Sequence, residues 1–175
     1  MSDQYSYVIN QSYGPFEFGM KPEEVHAILG QPESSSNPLD YLPEEYQDDK
    51  TKKYFGSLIA EDYKGAEISN KIPSFLYSKN SLIQIGIRSH KEEFIVGDFD
   101  LMLSRRKDLI TALYDKYPEC YVSTEGYFFV KLGAIVAGPR QWKYGNKSID
   151  LVLTDYLMSR LEDDDWEKMD ELEFF

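Results

Sequence analysis

Two histidines, a single cysteine and several close-set carboxylates are the residues of this chain best suited to chemistry. A catalytic histidine needs a serine or cysteine to activate, and a nucleophilic thiol needs a base beside it. No motif supplies either partner. His26 therefore reads as a solvated surface histidine, His90 (in Ser-His-Lys-Glu-Glu) as part of a polar turn, and Cys120 as a small buried residue. Asp98 and Asp100 have the look of an acid–base pair, yet Asp-x-Asp ahead of a helix is also ordinary turn composition. Zinc ligation needs a spacing that the histidines and cysteine lack, and Asp163–Asp165 lack the glycine and spaced oxygens of a calcium loop. Gly133–Arg140 lacks the Gly-Lys-Ser/Thr ending of a phosphate loop. Arg105, Arg106 and Lys107 read as a solvated cationic helix start, with a partner-facing cluster as the alternative. The expectation is a chain with no catalytic site, no cofactor and no metal.

Charge is the stronger signal. The 175 residues carry a net charge of −12, and the acidic C-terminal tail, 161–175, contributes eight acids against one lysine. A second patch comprises Asp40, Glu44, Glu45, Asp48 and Asp49, ahead of Lys50, Lys52 and Lys53. Such a surface repels nucleic acid and anionic membranes, and attracts basic proteins. In the tail, Trp166, Met169 and Leu172 recur at every third position among Asp163, Asp164, Asp165 and Glu167, with Phe174 and Phe175 at the end. Two readings stand: an amphipathic helix that docks its apolar edge on the domain, or an arm whose aromatics anchor a basic partner.

These residues need elements to hold them. Pro22 suits a first helical position, Glu23 and Glu24 the first turn, and Gly30 and Pro32 a stop, so residues 22–29 predict a helix. Met20 and Val25 occupy the positions of a hydrophobic staple, and Val25, Ile28 and Leu29 form its predicted buried stripe. Lys21 at the N-cap cannot accept an amide proton, which leaves Glu24 without a capping-box mate. Residues 31–53 read as irregular, and strands are predicted over 5–9, 54–59 and 94–96. Residues 74–87 predict a hairpin turning at Lys79-Asn80. Ser104 caps a second predicted helix with the stripe Leu109, Ile110, Leu113, Tyr114 and Tyr117, and strands follow over 127–130, 132–137 and 148–154. The fold class is thus α+β: one domain over 1–160, an antiparallel sheet with helices packed on it, and then the acidic tail. Helix-then-strands occurs twice, over 14–96 and 97–157, as in an internal duplication.

The run Phe16–Pro32 resembles a phrase shared by the SmpA/OmlA-type outer-membrane assembly lipoproteins and the β-lactamase-inhibitor-like domains. The shared features are an aromatic–Gly–Met lead, a Pro-Glu-Glu-Val helix start and a Leu-Gly-x-Pro stop. That resemblance implies a small helix on an antiparallel sheet, in tandem units in the inhibitor-like group. The lipoprotein role is not implied, because the sequence opens Met-Ser-Asp-Gln-Tyr and its one cysteine is Cys120. With no membrane-length apolar run and no possible internal disulfide, the expected compartment is the cytoplasm. Charge and resemblance together predict a non-enzymatic inhibitor: an immunity protein that neutralises a basic, nuclease-type bacterial toxin domain. An adaptor or assembly module and a small-molecule sensor are the alternatives. The expected contact residues are Asp40, Glu44, Glu45, Asp48, Asp49, Asp163, Asp164, Asp165, Trp166, Glu167 and Phe174.

Overall fold

A computed structural model describes residues 6–63, 72–89, 95–96, 99–100, 105–124, 126–137, 147–161, 165–172 and 174. The chain opens with a small antiparallel sheet, β1 (Tyr7–Val8), β2 (Ser12–Tyr13) and β3 (Phe16–Glu17). Helix α1 spans Pro22–Leu29, the predicted bounds. Lys21 makes no side-chain cap, as expected, but its own N–H donates to Glu24 Oε2 at 2.8 Å. Half of the capping box therefore forms, and Glu24 keeps a partner. Gly30 has φ +83° and ψ −167°, a conformation open essentially to glycine alone.

The predicted stripe is rotated. Val25 is fully buried and Leu29 packs on the core, but Ile28 is 44% exposed. The inward arc runs through Pro22, Val25 and Leu29 and brings His26 toward the sheet, at positions 0, 3, 4 and 7 of one helix face.

Residues 31–53 are not irregular throughout. They contain β4 (Ser34–Ser36), 3-10 turns at Pro38–Tyr41 and Glu44–Tyr46, and the start of α2 (Asp49–Phe55). The strand predicted at 54–59 begins only at Leu58, as β5 (Leu58–Asp62), because α2 occupies the first two positions. The hairpin is present as β6 (Ile72–Ser78) and β7 (Ser81–Ser89), with positive φ at both Lys79 (+49°) and Asn80 (+66°). Such a two-residue turn favours asparagine or glycine; holding a lysine there costs about 1 kcal/mol. A bulge between Leu76 and Tyr77 leaves Ile83 unpaired and changes the parity of β7, so Leu82 joins Ile85 and Ile87 in the core.

A two-stranded ribbon follows, β8 (Ile95–Val96) with β9 (Phe99–Asp100); Phe94 and the predicted cap Ser104 lie outside the described residues. Helix α3 (Arg106–Lys116) buries Leu109, Ile110 and Leu113 as predicted, with Tyr114 and Tyr117 against the core. Strands β10 (Cys120–Ser123), β11 (Gly126–Phe129), β12 (Ala134–Ala137) and β13 (Lys147–Val152) come next. A 3-10 turn at Val130–Leu132 takes the end of the strand predicted over 127–130 and the start of that predicted over 132–137, and α4 (Thr154–Met158) begins where the last strand was expected to end. Extended residues Glu167–Lys168 form β14.

Strands β4 to β14, except the ribbon, form a single antiparallel sheet in the order β14-β10-β11-β12-β13-β7-β6-β5-β4. Eight of its nine strands form two four-stranded meanders, each introduced by a helix and joined through their last strands, β13 and β7, while β14 adds to the β10 edge. The face under α1 and α3 carries an unbroken cross-strand row: Glu61, Phe75, Ile85, Leu151, Ala134, Phe129 and Cys120, all buried. On the opposite face, Phe128, Ile135 and Val152 of the second meander meet Leu157, Leu161 and Trp166. The N-terminal sheet is pinned to this half: Tyr7 Oη donates to Leu132 O at 2.9 Å, and Asn10 Oδ1 accepts from Thr154 N and Oγ1. Burial pushes the Tyr7 phenol up to about 12, so it remains a donor. Among the described residues no helix is long and apolar enough to cross a membrane.

Gly126 tests the second meander. Its φ is +150°, and a Cβ there would run into the Val136 carbonyl on β12. Gly126→Ala should lower the unfolding free energy by about 2 kcal/mol or more, while Ile28→Gln on the exposed side of α1 should change it by less than about 0.5 kcal/mol. Urea titration checks both; a neutral Gly126→Ala would contradict the described β11–β12 pairing.

Candidate functional site

The acidic patch is a folded surface rather than a loose loop. Asn37 Oδ1 accepts from Leu39 N–H at 2.8 Å while Asp40 Oδ2 accepts from Asn37 N–H at 3.2 Å, a reciprocal cap on the first 3-10 turn. Gln47 Nε2 donates to Leu39 O and Leu42 O, at 3.1 and 2.7 Å, and ties the two turns together. Asp48 caps α2 by accepting from Thr51 N–H at 2.6 Å, and that bond holds its carboxyl below the usual range. Asp40 and Asp48 thus have local work to do, yet all five acids (Asp40, Glu44, Glu45, Asp48, Asp49) stay exposed. Between them stand Tyr41 and Tyr46, 74% and 64% exposed. Large rings this open, flanked by carboxylates and set on capped turns, form a surface suited to a cationic partner.

The tail is docked, but not as a helix. Residues 167–168 pair with β10, Met169 N–H donates to Cys120 O at 2.9 Å, and Tyr114 Oη donates to Asp170 O at 3.2 Å. In an extended chain, residues three apart face opposite ways. Trp166 accordingly enters the satellite core against Phe128, with ring centroids 6.1 Å apart, while Met169 enters the main core. At 7% exposure Trp166 serves the fold and presents little to a partner. Asp165 and Glu167 are exposed, and Phe174 is 40% exposed with Lys107 Nζ 4.9 Å from its ring centre. Asp163 and Asp164 lie outside the described residues, as do His90 and Asp98.

The strands that flank the two acidic segments lie at opposite edges of the sheet, although α2, which continues the first segment, turns back to set Tyr54 against Arg160, just ahead of the tail. The 37–49 segment joins β4 to β5 at one edge of the sheet, whereas β14 forms the other edge. Eight strand spacings separate those edges, which is about 38 Å measured along the sheet.

Arg106 departs from the solvated reading: Nε donates to Ala137 O at 3.2 Å, and Cζ lies 5.2 Å from the Tyr127 ring centre. Arg105 and Lys107 are exposed. Cys120 is fully buried, and burial pushes its thiol up to about 12, so it stays protonated at neutral pH.

His26 is the largest correction. Its Nε2 lies 3.0 Å from both oxygens of Glu61, a carboxylate only 3% exposed. Tyr63 Oη donates to Glu61 Oε2 at 2.9 Å. Burial, reinforced by that carboxylate, raises the phenols of Tyr63 and the adjacent Tyr77 far above their ordinary value. The alternation Ile59, Glu61, Tyr63 was the available signal, since it puts Glu61 on the core face of β5. The cluster clamps α1 to the first meander: an acid otherwise too costly to bury is satisfied from a helix above and by Tyr63, just past the end of its own strand.

Removing that clamp should be measurable. His26→Ala should destabilise the fold by about 2 kcal/mol, and Glu61→Ala by about 2 to 3 kcal/mol, because each leaves a buried polar partner unsatisfied. Denaturant titration checks this, and free energies within error of the parent would show the contact to be incidental. Comparison with protein-family models, curated proteins and solved structures finds no match to this chain.

Proposed function

We propose that this chain is a non-enzymatic inhibitor of the immunity type, acting in the cytoplasm by covering the cationic surface of a nuclease-type toxin domain. The observation that carries this reading is the 37–49 surface, where two widely exposed tyrosines sit among five exposed carboxylates on turns held by their own hydrogen bonds. Prior ordering of these turns lowers the entropy lost on association. Carboxylates presented this way can occupy the positions that phosphates take in a nuclease groove, and the net charge of −12 speeds encounter with a basic partner.

The topology supports the same reading. A helix followed by a four-stranded meander occurs twice, which suits a tandem inhibitor-like scaffold and an internal duplication. Because the tail is held in the fold through β14, Trp166 and Met169, the contact set on this proposal centres on Asp40, Tyr41, Glu44, Glu45, Tyr46 and Asp49. Asp165, Glu167 and Phe174 act in steering or at a separate contact.

The test uses a variant that spares the two capping acids. Glu44→Gln, Glu45→Gln and Asp49→Asn together should slow association with cationic toxin nuclease domains by about tenfold at low ionic strength, with the difference shrinking as salt rises. Tyr46→Ala should act mainly on dissociation. Stopped-flow or surface-based kinetics would read both. Association indifferent to salt and to the triple variant, or inhibition undiminished by it, would overturn the proposal.

A further inference from the structure

We draw no further inference here: the strongest candidate, the buried side-chain cluster of His26, Glu61 and Tyr63 beneath α1, belongs to the clamp already described, in which the Glu61 carboxylate is satisfied by its own neighbours.

Discussion

The pairing of β7 with β13 is the interaction on which the remaining architecture rests. Six facing pairs, from Lys147 with Ser89 to Val152 with Gln84, join two meanders that would otherwise each end in an open edge. Ile85, Ile87, Ile149 and Leu151 all lie on the core side of this seam and are fully buried. A break here would expose both the edges and the centre of the core. Chemistry stays at the periphery for the same reason. The middle of the sheet is occupied by packing, and the polar functions sit at its edges and at the hairpin end.

The two faces of the sheet divide the labour. Under α1 and α3 lies one continuous apolar surface, interrupted only near its edge by Glu61, which His26 and Tyr63 satisfy. The other face is closed over part of the second meander by α4 and Trp166, and it shows polar strand residues at Ser74 and Gln84 of the first meander and at Asp150 of β13. Gly86 permits the close approach there, since a Cβ at that position would meet Asp150 Oδ1 at 2.9 Å. One side of the protein is thus core throughout, while the other is partly free to recognise something.

Helix α1 and the β6–β7 hairpin were legible because both are written in local chemistry: Pro22 and Gly30 as punctuation, and isoleucine alternation around Lys79-Asn80. Elements without an apolar period were not. Strand β4 is three serines held by partners on β5, and α2 reads Asp-Lys-Thr-Lys-Lys-Tyr-Phe, with no buried residue to betray it. Three-residue spacing in the tail suggested a helix because period alone does not distinguish one helix face from two faces of a strand. The acidic surface was legible in composition, but its place on the sheet was not, since strand order depends on pairings distant in sequence.

Tyr7 and Asn10 reach partners 125 and 144 residues away. The meanders, by contrast, are built from neighbouring hairpins whose loops close at small entropic cost. Docking of the amino-terminal hairpin on Leu132 and Thr154 therefore closes far longer loops than the hairpins of the meanders do. That small sheet has the placement of a latch: contacts made only after both meanders have formed would add little to the speed of assembly and would slow escape from the assembled state.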